Sequence, residues 1–301
     1  LIYEVLKSGL ARRVHLVGNI GEPVLKFLQG AAKDDVFVYE LSSFQLEHAT
    51  LSPHIAVFLN LYPEHLDHYG SFKAYAAAKA RITKFQNAKD YLIYNKEDPE
   101  VSRIAAASKA QKLAFAPARP VQQPFAAATQ PVYLAAKLFS IPKEKVEEAV
   151  KTFKPLPHRL ELVGTRKGIV FYNDSLATIP EATVAALDIL GDKVATLIAG
   201  GFDRGVALEH LGKRIEQSNI KTLILFPDTG EKILQSVKAP LQHFFTSSME
   251  EAVQLAYTHT PKGHICLLSP AASSFNLFRD YKHRGDEFKK WITQHGKKKR
   301  A

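Results

Sequence analysis

The sequence of 301 residues has a single cysteine, Cys266. This excludes a disulfide framework and any zinc site built from several cysteines. Cys266 sits in the apolar run "HICLLSP", where a buried, inert thiol is expected. A reducing cytoplasm suits such a chain. No run of about 18 apolar residues occurs, so no membrane-spanning helix is expected. No signal-peptide pattern opens the sequence. Methionine occurs once, at Met249, and the first residue is Leu1. Further coding sequence upstream is therefore expected. Acidic residues are in the minority, 30 against 40 Lys and Arg, for a net charge of +10. Such a balance can serve nucleic acid. Here the cations are scattered, apart from the tail "GKKKRA", and neither RNA-binding aromatic signatures nor zinc-finger spacing occur. No nucleic-acid partner is expected, because an anionic small substrate such as a nucleotide explains a basic cleft equally well.

What the sequence does have is a core. Hydrophobic residues make up 46% and charged residues 23%, the balance of a globular protein. The length suits two domains of ordinary size. Short apolar runs at 14–17, 35–41, 54–60, 90–95, 169–173, 194–199, 221–226 and 264–268 read as strands. Segments 72–87, 142–153, 179–190, 206–218, 229–237, 248–258 and 284–294 carry helical spacing. Strands alternating with helices predict a parallel, doubly wound α/β architecture. Residues 116–131 hold four prolines and read as a loop, with a helix from about 132. "KPLPHRLE" at 154–161 places two prolines before a second strand–helix series, which sets the expected domains at 1–156 and 157–301.

Ligands of open α/β sheets bind beyond the carboxyl ends of the strands. Six predicted strands end in polar or glycine-rich groups: "GNIG" after 14–17, Glu40 and "SS" after 35–41, "NLYPEHLDHYG" after 54–60, "NDSLAT" after 169–173, "GGFDRG" after 194–199, and "SPAASS" after 264–268. Taken singly, each has a plain structural explanation. Glu40 could be a solvated strand-end carboxylate, His65 a hydrogen-bonded loop histidine, and Lys79 a solvent-facing helix lysine. Asp174 or Ser175 could cap a helix before Pro180, and the glycines of "GGFDRG" could serve a turn. "GNIGEP" could open a helix with Pro23 in its first turn, or present backbone N–H groups to an anion. Their shared location at strand ends favours a common cleft fed by both domains. Glu40, His65, Asp67 and Lys79 would come from the first half. A carboxylate and an imidazole on neighbouring strand ends suit a hard cation such as Mg²⁺.

The stretches "VGNIGEP", "ELSSFQLE", "NLYPEHLDHYGSFKAYAAAKARI", "LPHRLE", "NDSLATIPEAT", "AGGFDRG" and "LLSPAASSFNLFRDYKHRGDEF" together resemble the Mur ligases, in family order from residue 14 to about 290. The resemblance implies a central P-loop-NTPase-like sheet, incomplete here, followed by a Rossmann-like C-terminal domain. It implies a monomeric, ATP-dependent amide ligase of cytoplasmic peptidoglycan synthesis, adding glutamate to UDP-N-acetylmuramoyl-L-alanine through an acyl phosphate. Within that resemblance Glu40, His65 and Lys79 hold Mg²⁺, with Lys79 carbamylated so that a cation becomes an oxygen ligand. Asn19, Ser42 and Gln45 contact the muramoyl substrate. Arg159 and Asp174 touch ATP. Thr178, Arg204, Ser274 and Tyr281 form the pocket for glutamate, with Arg204 on one of its carboxylates.

The sequence departs from the family pattern in places. No G-x-x-G-K-[ST] run occurs, and "LIYEVLKSG" looks like the helix that follows such a loop. The family's UDP-binding domain has no counterpart in these residues. "PFAAA" at 124–128 replaces a run whose asparagine would meet adenine, leaving Ala128, and Leu176 stands where a lysine is usual. The chain as given is expected to be an inactive fragment of a ligase. A folylpolyglutamate-synthase-like ligase and a non-catalytic binding paralogue are the alternatives.

Overall fold

The computed structural model describes residues 1–19, 22–117, 126–154 and 156–296, with the side chains among them except at 28 and 126–128. The expectations about "PFAAA", the side chain of Ala128 and the basic tail lie outside the described residues. The chain divides into two compact units, Leu1–Lys154 and Pro155–Ala301.

Unit 1 runs α1 (Ile2–Gly9), β1 (Val14–Gly18), a 3₁₀ turn (Val24–Gly30), β2 (Val36–Glu40), α2 (Ser43–Glu47), β3 (Ile55–Phe58), α3 (Leu66–Tyr69), α4 (Phe72–Lys84), β4 (Tyr91–Asn95), α5 (Pro99–Ala107), β5 (Gln111–Phe115), α6 (Ala126–Leu138) and α7 (Lys143–Thr152). All its strand pairs are parallel, but they form two sheets, β1-β2 and β3-β4-β5. Successive side chains of a strand face opposite ways, and β4 uses both. Leu92 packs with Tyr75 and Ala76 of α4 and Ile104 of α5. Ile93 packs on the other side with Phe115 and with Ala135 of α6. A third cluster joins Val5 and Leu6 of α1, Val132 and Ala136 of α6, and Val146 of α7, with Val36 and Val38 of β2 against it. Helix α6 starts earlier than the prolines suggest, with Pro131 inside it.

Unit 2 runs β6 (Glu161–Arg166), β7 (Ile169–Asn173), α8 (Pro180–Leu190), β8 (Val194–Gly201), α9 (Glu209–Glu216), β9 (Thr222–Asp228), α10 (Thr229–Ser236), β10 (Gln242–Phe245), α11 (Met249–His259), β11 (Ile265–Leu268) and α12 (Tyr281–Gly296). Its six strands make one sheet, ordered β10-β9-β8-β11-β7-β6, parallel except for the edge strand β6. The central strands β8 and β11 are buried along their whole length, as expected for strands covered on both faces. Leu197, Leu223 and Leu267 face α8, α9 and α10. Ile198, Ile224, Phe171 and Cys266 face α11 and α12. No helix among the described residues is long and apolar enough to cross a membrane.

Candidate active site

In unit 1 the polar groups gather at the carboxyl ends of β1, β2 and β3. Gly18 ends β1 opposite Glu40 with φ +101°. A Cβ there would lie 2.3 Å from the Glu40 carbonyl oxygen and 2.4 Å from the Tyr39 ring. Only glycine allows that approach. It brings Asn19 onto Glu40 twice: the backbone N–H donates to the Glu40 carbonyl at 3.0 Å, and Nδ2 donates to Oε1 at 3.3 Å. Ser42 and Gln45 cap α2 reciprocally. The Gln45 N–H donates to Ser42 Oγ at 3.2 Å, and the Ser42 N–H donates to Gln45 Oε1 at 2.8 Å. Both residues therefore fix the helix that follows Glu40, and Gln45 is exposed.

His65 lies in the left-handed region, φ 54° and ψ 35°, at the start of α3. Its ring stands edge-on to Phe44 with centroids 4.9 Å apart, and its Nε2 is 3.8 Å from Glu64 Oε1. Lys79 is half-buried on α4, 5.8 Å from the centre of the Tyr75 ring. Burial lowers its pKa, while the carboxylates of Glu64 and then Glu40 act in the opposite direction. Glu40, His65 and Lys79 thus share one region, and Glu64 joins them. Glu64 carried no signal in the sequence beyond its place beside His65. Asp67 is exposed on the short α3.

No group of three or more His, Cys, Asp or Glu side chains among the described residues converges closely enough to hold a metal. An unmodified lysine is itself the cation of this acidic corner.

In unit 2 the polar groups are far more enclosed. Asp174 is 5% exposed. Its Oδ1 accepts the Leu160 N–H at 3.0 Å and its Oδ2 accepts the Ser269 hydroxyl at 2.8 Å. Burial raises its pKa to about 7, against the opposing pull of Ser269, the Leu160 N–H and Arg159. Arg159 is exposed, between the positive-φ residues His158 and Leu160. Asp174 thus anchors the backbone that presents Arg159. Thr178 is half-exposed in the loop after β7.

Gly200 and Gly201 end β8 with φ +102° and +143°. A Cβ on Gly200 would lie 2.4 Å from the Phe226 carbonyl oxygen, and one on Gly201 would lie 2.3 Å from that of Ser273. The pair lets the β8 loop press against β9 and the "SPAASS" loop, where the Phe202 N–H donates to the Ser273 carbonyl at 2.9 Å. Beyond it Asp203 binds Lys232, which lowers the aspartate pKa. Arg204 is half-exposed and has no ion-pair partner among the described residues. Ser274 is buried, its carbonyl accepting the N–H of Phe278 at 2.9 Å, and Tyr281 opens α12 half-exposed. Unit 2 therefore places Thr178, Arg204 and Ser274 in the loops after β7, β8 and β11, and Tyr281 at the start of α12.

Two units of mainly parallel sheet, with polar groups at the strand ends, define an α/β protein. Comparison with known proteins narrows the class. The Mur ligase middle domain matches residues 2–151, and the Mur ligase glutamate ligase domain matches residues 158–272. The chain is 35% identical to the UDP-N-acetylmuramoylalanine--D-glutamate ligase of Bacillus cytotoxicus, over 96% of this chain and 70% of that protein. The chain belongs to the Mur ligase family. Its fold is shared with solved Mur ligases at low identity. MurF of Acinetobacter baumannii is 14% identical, with a TM-score of 0.74 over 97% of this chain and 74% of its own. MurF of Thermotoga maritima, solved in complex with ADP, is 16% identical, with a TM-score of 0.69 over 98% of this chain and 78% of its own.

Proposed function

We propose that the protein is a cytoplasmic ATP-dependent ligase of peptidoglycan synthesis that adds D-glutamate to UDP-N-acetylmuramoyl-L-alanine. The observation that carries this reading is the 35% identity to ligases of that name, spread over 96% of the chain. In this reaction the substrate carboxylate attacks the γ-phosphorus of ATP and ADP leaves. The amine of glutamate then attacks the acyl phosphate, loses a proton, and inorganic phosphate departs as the amide forms. Catalysis of this kind rests on positioning and charge neutralisation.

The roles follow from the chemistry of the side chains. Glu40, His65 and a carbamylated Lys79 would hold Mg²⁺, which when bound neutralises phosphate charge. Glu64, beside His65 and Lys79, adds a carboxylate to the same corner. Asn19 holds the Glu40 carboxylate and contacts the substrate near its reacting end. Ser42 and Gln45 present the start of α2 to the muramoyl substrate. Arg159 offers its forked donors to the phosphates, and Asp174 contributes by anchoring Arg159. Arg204, without an ion-pair partner among the described residues, pairs with a carboxylate of glutamate, while Thr178, Ser274 and Tyr281 complete that pocket.

The test is an assay of the full protein encoded by the reading frame that contains these residues, supplied with ATP, Mg²⁺, UDP-N-acetylmuramoyl-L-alanine and each glutamate enantiomer in turn. Mass spectrometry of the nucleotide product and phosphate release are followed together. A product heavier by one glutamate residue with the D form alone is expected. Product with L-glutamate, or with a folate acceptor instead, would overturn the reading.

A further inference from the structure

Among the described residues Arg284 is the largest fully buried side chain, 0% exposed, and no carboxylate pairs with it. Its Nε donates to Ser175 Oγ at 3.0 Å, one terminal nitrogen to the Ser175 carbonyl at 2.9 Å, and the other to the Ala272 carbonyl at 3.1 Å. Ser175 Oγ in turn donates to the carbonyl of Tyr281 at 2.8 Å. A Cβ on Gly201 would lie 3.3 Å from the guanidinium. One side chain therefore reaches the loop after β7, the end of β8, the loop after β11 and the start of α12. These four segments carry Thr178, Arg204, Ser274 and Tyr281.

A buried cation with only neutral partners is costly, and an apolar residue of similar volume is often as stable or more so. Stability alone therefore does not account for an arginine here. The planar fork does what an apolar side chain cannot: it binds carbonyls on two separate loops in fixed directions. We propose that Arg284 is the positioning residue of the amino-acid pocket, setting the register of the four segments that carry it. This rests on the reading of unit 2 as the glutamate-binding unit. Because no carboxylate among the described residues pairs with it, Arg284 also adds to Arg204 in favouring an anionic amino acid.

Arg284→Met and Arg284→Lys in the full protein test the proposal by two routes. The first is steady-state kinetics. In Arg284→Met the KM for glutamate is expected to rise about tenfold or more, the scale of losing hydrogen bonds from a charged donor. The KM for ATP stays within about twofold in the same variant, because that site loses no donor. Arg284→Lys keeps the charge without the fork and falls between the two proteins. The second route is hydrogen exchange at 174–178, 200–204 and 271–275, which is expected to quicken in all three segments together in Arg284→Met. An unchanged KM for glutamate in both variants would overturn the proposal. So would KM values for both substrates rising in step with a falling melting temperature, because that is the signature of a general structural loss. If the unsubstituted protein does not consume glutamate, the ligase reading has failed. The exchange data then decide alone, and unchanged exchange in the three segments rules the positioning role out.

Discussion

In unit 2 a single six-stranded sheet carries the polar loops, whereas among the described residues the five strands of unit 1 are divided between a two-stranded and a three-stranded sheet. The site groups differ in the same sense. Asp174, Ser175 and Arg284 are buried and bonded to backbone from other segments, and Ser274 is buried as well. Glu40 is exposed, and Lys79 and His65 are half-exposed around one another. In unit 2 the polar groups are held by hydrogen bonds between segments, whereas unit 1 sets the Lys79 amine against the Glu64 and Glu40 carboxylates. The proposed roles of the two units fit this difference. An amino-acid pocket gains from rigid donors, whereas a metal and phosphate site needs ligands that can be charged and solvated.

Substitutions in the two units should therefore fail differently. The largest effect is expected from Gly201→Ala. Its Cβ would meet the Ser273 carbonyl oxygen at 2.3 Å on a backbone with φ +143°. The penalty is about 3 kcal/mol or more of stability, from a backbone clash added to a strained φ. It is read by denaturant unfolding, and a melting temperature close to that of the unsubstituted protein would show that unit 2 is less rigid than described.

Lys79→Met belongs to unit 1 and should do the reverse. Turnover is expected to fall about 100-fold or more, the usual result of removing a charge-stabilising group, with little change in the unfolding midpoint. A large loss of stability with turnover preserved would make Lys79 a structural residue.

Asp174→Asn sharpens the comparison through pH. Burial raises the Asp174 pKa from 3.8 to about 7 in the folded state. Between those values the folded protein keeps the proton and the unfolded chain does not. The stability is present in full below the unfolded pKa and is lost as pH rises toward 7. The difference in stability between the two proteins should therefore shift in favour of Asp174→Asn across that range, by something on the order of 4 kcal/mol. Parallel pH profiles would mean that Asp174 is ionised throughout. The smallest effect is expected from Ser42→Ala, which removes the cap of α2 and costs about 1 kcal/mol. A calorimetric scan should place the loss in unit 1.

How much was legible in the sequence follows from the same contrast. The strands around β7, β8, β9 and β11 stood out because strands buried on both faces read as apolar runs. "QKLAF", "ELVGTR" and "QHFF" did not. They form β5, β6 and β10, which lie at sheet edges and mix polar with apolar residues. Helices α2 and α3, of five and four residues, are too short to show a period. The glycines at 18, 200 and 201 were visible as motifs, but their purpose was not. Each makes room for a carbonyl oxygen from a distant segment, which a linear pattern cannot reveal. Arg284 stands in "YKHRGDEF", where the sequence alone does not mark it, because a charged residue on a helix is ordinarily solvated.

Gly18 has a consequence for heredity as well as for structure. The space beside Glu40 depends on an atom that is missing, so no other genetically encoded residue can be exchanged there without moving Glu40 or Tyr39. In a library covering every codon, position 18 should tolerate as little change as a chemically active residue, although glycine contributes no functional group. Selection would mark this position as essential while chemistry finds nothing there to modify.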